Sequence, residues 1–441
     1  MLENVRRSHL GRDYLGMVGF LRAQNERLEL EDLLTLHESA WPDESFAPKQ
    51  VLGFMGILAD SWRAARILDP MGGLGFLGAS LAANDVNRRV DVVTSNPSAL
   101  ELIQPLGLAN LTILSGSPEV LAGRVAGSYD MVASLGPINR PRETKQYSFS
   151  GDLREIVDDP SLLVVLDSAS TLAPAGRMAF LVTAKFIWDA RANSVRQSLG
   201  EFGLTLTALL QFRPGTFPGT GIRLFLAIVE PQDRDGRFFV AEVPDDVEAQ
   251  QALIQRLRRR ASGVTPAQGR LVAPEDFHGI EALEARDRYR RLGRDKGLHP
   301  IPFEEAVVSI RKPHGRLGEV DEIEDDPRAV YLPLMAATKA TTRKSELPAK
   351  LKSYVQLIVD PKVVSPDYLA GMFNTPLGHA LRQSCMTGDT IPRIRPSILS
   401  RSALFLPSVE QQRIGVTALQ EIQRLRSELS ELETTFWRHP S

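Results

Sequence analysis

A single cysteine, Cys385, in a chain of 441 residues excludes an internal disulfide and any cysteine-rich zinc site. No histidine with a supporting carboxylate can be assigned to it, so it reads as a small half-buried side chain rather than a nucleophile. The seven histidines are scattered singly, without a His-x-x-x-His pair. The one Glu-x-x-His, Glu275 and His278, has no second element to complete a site, and no metal is expected. Nowhere do about 18 apolar residues run together, which argues against a membrane span. The opening Met-Leu-Glu-Asn-Val-Arg-Arg has charge without a following apolar stretch, so export is not expected and the location should be cytoplasmic. Neither sign of charge dominates. Lysine plus arginine number 52 and aspartate plus glutamate 54, which excludes a globally basic nucleic-acid coat but leaves a local basic face open.

What is present is the make-up of a globular chain, 43% hydrophobic and 24% charged, long enough for two or three domains. A helical lead-in occupies residues 1–45, and a helix begins after Pro48 and runs through Met55, Leu58 and Trp62. Strands and helices then alternate, the pattern of an α/β sheet. Arg66 to Asp69 reads as the first strand, Gly75 to Ala83 as the first helix of the sheet, and Arg89 to Thr94 as the second strand. Leu111 to Leu114 and Tyr129 to Ser134 follow as strands; Leu162 to Asp167 and a helix after it lead to a fifth strand, Gly176 to Val182. Leu204 to Phe212 and Arg223 to Val229 close the domain at seven or so strands. Residues 233–327 are charged and helical, and short strands return at Ala329, Tyr354 and Ala403. From Val409, the residues Ile422, Leu425, Leu429, Leu432 and Phe436 mark a heptad seam on a long helix, the pattern of a coiled coil.

Three elements in order carry a family likeness. Asp69-Pro70-Met71-Gly72-Gly73-Leu74-Gly75-Phe76-Leu77 is a strand end, a glycine turn and a helix start. Phe46-Ala47-Pro48 lies upstream, and Pro214-Gly215-Thr216-Phe217-Pro218-Gly219-Thr220-Gly221 lies late. Through these, residues 1–232 resemble the modification subunits of type I restriction systems, adenine-N6 DNA methyltransferases with a Rossmann-like fold. The resemblance implies that Phe46, Pro48, Asp69, Pro70, Gly72, Gly73 and Gly75 border S-adenosylmethionine. From about residue 328 the chain is similar to the α+β target-recognition domain of type I specificity subunits, through Val364-Ser-Pro366-x-Tyr368-Leu, Gly388-Asp-Thr-Ile391-Pro392-x-Ile394 and Leu406-Pro407-x-x-Glu410-Gln411-Gln412-x-Ile414. The expected division is a helical segment (1–50), a methyltransferase-like domain (51–232), a charged linker region (233–327), a recognition-like domain (328–407) and the heptad helix (408–441).

The likeness breaks where the chemistry should be. The family's acidic residue after strand two falls on Thr94 or Ser95, and the aspartate after strand three on Ser115-Gly116-Ser117. Two charge-assisted bonds to the cofactor are thereby missing, each typically worth about 1.5–3 kcal/mol. Counting from Asp130, the family's Asn-Pro-Pro-Tyr/Phe, which holds a flipped adenine, is replaced by Leu135-Gly136-Pro137-Ile138. The expectation is a pseudo-methyltransferase, with no catalytic residues and with cofactor binding disfavoured, acting as a DNA-recognition and scaffold subunit in a restriction-modification or phage-defence assembly. Arg343, Lys344, Lys350 and Lys352 are candidates to hold duplex phosphates. The heptad helix would pair with a partner methyltransferase, another subunit or a second copy. Two alternatives stand beside this: an active adenine-N6 methyltransferase with an atypical target loop, and a purely structural assembly subunit.

Overall fold

Short apolar strands capped by glycine and asparagine turns build one large sheet. The computed structural model describes residues 14–23, 28–40, 48–117, 127–136, 141–149, 152–183, 185–188, 192–217, 220–231, 235–312, 324–335, 338–347, 353–388 and 392–438. The chain forms two units, Met1–Ile280 and Glu281–Ser441.

In the first unit, helices α1 (Tyr14–Ala23), α2 (Leu30–Ala40) and α3 (Lys49–Trp62) precede β1 (Arg66–Asp69). Then come α4 (Phe76–Asn84), β2 (Arg89–Thr94), α5 (Ser98–Ile103), β3 (Leu111–Ser115) and β4 (Tyr129–Ser134). A hairpin follows, β5 (Glu143–Phe149) with β6 (Asp152–Asp158), then α6 (Pro160–Ser168) and β7 (Leu172–Thr183). The rest is α7 (Lys185–Trp188), α8 (Ala192–Glu201), β8 (Leu204–Gln211), β9 (Leu224–Pro231), β10 (Phe238–Glu242), α9 (Val247–Arg259) and β11 (Arg270–Val272).

The strands lie in the order β3-β2-β1-β4-β7-β9-β8-β10-β11. From β3 to β8 every strand is parallel except β9, which is reversed against both β7 and β8. From β3 to β8 this order, with one reversed strand, is that of a Rossmann-like methyltransferase fold, as expected; beyond it β10 runs parallel to β8 and β11 antiparallel to β10. One core cluster of the first unit holds Val51, Phe54, Met55 and Leu58 of α3 together with Ile67, Val90 and Met131 of the sheet.

Two features differ from the sequence reading. The run Leu162–Asp167 does not precede a helix but lies within α6. An unbroken apolar run reads equally as strand or buried helix; here the cap decides, since Asp159 Oδ1 accepts from the Ser161 amide at 3.0 Å and Pro160 takes the first turn. The hairpin β5–β6 was not expected, because its mostly exposed strands lack an apolar face. The sheet continues past residue 232 into β10 and β11, and the first unit runs to Ile280. Helix α9, charged in sequence, turns Leu253, Ile254 and Leu257 into the core and keeps its arginines outside.

The second unit is α+β. After α10 (Ile280–Asp295), which starts at the boundary, it contains β12 (His299–Pro302), α11 (Phe303–Ala306), β13 (Val307–Arg311), β14 (Ala329–Pro333) and β15 (Tyr354–Val359). Next are α12 (Pro366–Phe373), α13 (Pro376–Ser384), β16 (Met386–Thr387), β17 (Arg393–Ile394), α14 (Pro396–Leu399) and β18 (Ala403–Leu406), and the long helix α15 (Val409–Arg438) ends the chain. The wholly buried β15 is the middle of a three-stranded antiparallel sheet, β13-β15-β14. Cys385 is fully rather than half buried; burial pushes its thiol pKa up, the state of an inert side chain.

Helix α15 docks by its first turns only. Gln412 is buried, accepts from the Ser365 amide at 3.0 Å and donates to the carbonyls of Val363 and Pro407. It thus ties together two of the three segments that carried the specificity-subunit likeness. Further along, Ile422, Leu425, Leu429, Leu432 and Phe436 are 45–70% exposed. Among the described residues no helix is long and apolar enough to cross a membrane.

Candidate functional site

Parallel strands gather their following loops at one edge, and the crevice forms where the strand order reverses. That switch lies between β1 and β4, so the loops Pro70–Gly75 and Leu135–Gly136 flank it. Pro48, at the start of α3, and Arg213–Phe217, after β8, belong to the same edge by strand direction. Phe46 and Ala47, and likewise Pro137 and Ile138, lie outside the described residues.

The glycine turn is held by packing. Gly72 donates to the Val93 carbonyl at 2.9 Å, and a Cβ on Gly72 would sit 2.1 Å from Val92 Cγ1. Gly75 caps α4 at φ 86°, a conformation that disfavours any side chain. Thus Gly72 and Gly75 are demanded by the strand-to-helix turn itself. Substituting Gly72→Ala is expected to destabilise the protein by about 3 kcal/mol through overpacking. In urea unfolding, Gly72→Ala/Val92→Ala should lose clearly less than the sum of the single variants; strict additivity would contradict the clash.

Asp69 ends β1 fully buried. Its Oδ1 accepts from the Met71 amide at 3.3 Å, and its Oδ2 has no partner among the described residues. Burial outweighs that one bond and raises the carboxyl pKa to about 7. Thr94, where the family places an acid, is buried and donates its hydroxyl to the Gly73 carbonyl at 2.6 Å, while accepting from the Asn96 amide. That hydroxyl ties the glycine turn to the end of β2. Strand β3 ends in Ser115, and Gly116 bonds back to the Thr94 carbonyl. Across the switch point a Cβ on Gly136 would stand 3.1 Å from Met71 Sδ, so Met71 leaves little room there for a side chain. Leu135 packs toward the core.

The ends of β2 and β3 carry the hydroxyls of Thr94 and Ser115, and that of Thr94 is engaged. Asp69 Oδ2 is a buried acceptor without a hydrogen-bond partner among the described residues. Asp130, from which the target motif is counted, accepts from the amides of Ala65 and Arg66 and so fastens β4 to the start of β1.

In the second unit, the loop Thr338–Leu347 that carries Arg343 and Lys344 is firmly anchored. Asn374 clamps both backbone groups of Ala340 at 2.8 and 2.9 Å, Thr342 donates to Asp367, and Thr341 bridges Tyr331. The buried Arg382 donates to the carbonyls of Met335 and Thr338, both at 2.7 Å. Burial without a carboxylate lowers its pKa to about 10. Arg343 is exposed and pairs with Glu346 at 3.3 Å. Lys350 and Lys352 lie outside the described residues. No sequence signal marked Asn374 or Arg382 as loop anchors, because their partners are backbone groups far along the chain.

No protein-family model matches the chain, and no curated protein matches it in sequence. Among solved structures, a protein from Listeria monocytogenes assigned as a class I S-adenosylmethionine-dependent methyltransferase is 16% identical, with a TM-score of 0.42 over 59% of this chain and 90% of that one. The type I restriction-modification methyltransferase subunit from Streptococcus thermophilus is 13% identical, with a TM-score of 0.45 over 56% of this chain and 60% of that one. A chain from Vibrio vulnificus assigned as the modification subunit of a type I restriction enzyme is 13% identical, with a TM-score of 0.42 over 59% and 64%. The likeness thus spans less than two thirds of these two type I subunits.

Proposed function

We propose that this chain is a DNA-recognition and scaffold subunit of a restriction-modification or phage-defence assembly, built on a methyltransferase fold that no longer transfers methyl groups. One observation carries this reading: at the switch-point edge, the positions that the family resemblance assigns to cofactor and adenine hold Thr94, Ser115 and Leu135-Gly136, with the Thr94 hydroxyl spent on the glycine turn. The anchored loop Thr338–Leu347 supports a recognition role, since a side chain presented from a fixed backbone loses less freedom on binding. Arg343 and Lys344 would hold phosphates, and neighbouring loop residues would read base edges. The exposed heptad residues Ile422, Leu425, Leu429 and Leu432 of α15 would be the surface for a partner methyltransferase, another subunit or a second copy.

The glycine turn by itself favours the second reading, an active adenine-N6 methyltransferase with an atypical target loop. Calorimetry with S-adenosylmethionine separates the two, together with methyl incorporation into duplex DNA. The favoured outcome is no micromolar binding and no incorporation; both together would establish the enzyme. A labelled duplex should bind with an affinity that falls steeply as salt rises. Absence of any such binding would leave only an assembly role.

A further inference from the structure

At the sheet edge opposite the glycine turn, a cavity of about 620 Å³ opens among the ends of α3 and α9 and strands β7, β8 and β9. Arg63, Arg177, Arg258 and Arg260 line it, against one carboxylate, Glu230. Two of the arginines are engaged. Arg177 pairs with Glu230 at 2.8 Å and lies over the Trp62 ring, 5.6 Å from its centroid. Arg260 donates to Asp235 and to the Arg237 carbonyl, both at 2.8 Å. The guanidinium groups of Arg63 and Arg258 make no hydrogen bond or ion pair with any described residue.

The backbone gives an independent observation. Among the described residues, only two residues other than glycine have positive φ, Arg63 at 54° and Arg260 at 50°, and both line this cavity. Each closes a helix in the left-handed conformation, where glycine is the low-energy choice. The conformation closes the end of α3, where the amides of Arg63 and Ala64 bond back to the Asp60 and Ala59 carbonyls, both at 3.0 Å, while the Arg63 guanidinium has no partner among the described residues. Glycine would close either helix at lower cost, so each position carries a cation to the cavity at some expense to the turn.

We propose that this cavity binds a phosphate-bearing small molecule of nucleotide size. Forked guanidinium donors match phosphate oxygens, and the volume lies within the roughly 300–1,000 Å³ of small-ligand pockets. Arg63 and Arg258 grip the phosphates, while Glu230 and Asp235 hold Arg177 and Arg260 in place. The site is separate from the glycine-turn edge and does not depend on the reading given to it.

The test is calorimetry of the full chain with ATP and with inorganic tripolyphosphate, paired with thermal melts. Both anions should bind, and Arg63→Gly and Arg258→Ala should each weaken binding by about tenfold or more. Ligand-free Arg63→Gly should melt at or above the wild-type temperature, because glycine relieves the positive φ. No binding of either anion at millimolar concentration, or unchanged affinity in Arg63→Gly, overturns the proposal. A lower melting temperature of ligand-free Arg63→Gly does so too, since the arginine would then serve the fold. A duplex oligonucleotide that displaces ATP and loses the same affinity in Arg63→Gly would assign the cavity to a nucleic-acid backbone and overturn the small-molecule assignment.

Discussion

Asp69→Asn should gain stability relative to the wild type as pH rises from 5 to 8, by about 3 kcal/mol over that interval. The folded carboxyl titrates at about 7 and the unfolded one at 3.8. Below the unfolded value both states hold the proton and burial is free of penalty. Between the two values the unfolded state sheds its proton first, so wild-type stability falls as pH rises. Above the folded value the loss is constant, at about 4 kcal/mol. Asparagine carries no such dependence. Its amide nitrogen, standing where Oδ2 has no partner, costs about 1–3 kcal/mol at every pH. Urea unfolding of both proteins at pH 5, 6, 7 and 8 gives the comparison. A difference that does not change with pH would mean that a donor within the fold already satisfies Oδ2. Under the proposed reading, added S-adenosylmethionine leaves both curves where they are.

The second large effect is expected at Arg88. Its guanidinium is buried and donates to the Ala64 carbonyl at 3.2 Å, the Leu81 carbonyl at 3.0 Å and Asp60 at 2.5 Å. Leu81 is in the last turns of α4, where carbonyls lose their helical partners; Asn110 serves the Ala82 carbonyl beside it. One side chain therefore joins α3, the start of β1 and the end of α4. Arg88→Met should destabilise the protein by about 3–5 kcal/mol, because two buried carbonyls lose their donors. Asp60 is largely exposed and turns to water, so the carbonyls dominate. Arg88→Lys should recover less than half, having one ammonium for three directions. A loss below about 1 kcal/mol in Arg88→Met, measured by urea unfolding, would show that solvent reaches those carbonyls.

Arg88 also shows where sequence reasoning stops. It stands next to Arg89 in a polar turn, and nothing local separates the two, yet Arg89 is exposed and Arg88 is buried. The difference lies in three acceptors that β1 and the two helices bring together. The glycine turn was legible for the opposite reason. Its requirements are local: a positive φ at Gly75 and no room for a Cβ at Gly72.

The sequence by itself determined the parallel strands β1, β2 and β4 and their glycine turn, the strands β8 and β9, and the long final helix. Each is written in apolar spacing and turn residues, which act over a few positions. It also marked the absent carboxylates at Thr94 and Ser115, since those depend only on which residue follows a strand. Only the tertiary structure decided that the sheet extends past residue 232 and that Asp69 is left protonated near neutrality. It alone placed Met71 against Gly136, and it alone gathered Arg63, Arg177, Arg258 and Arg260 around one cavity. These are juxtapositions of residues distant in the chain. Burial, desolvation and clustered charge arise from what packs around a residue, which no local pattern encodes.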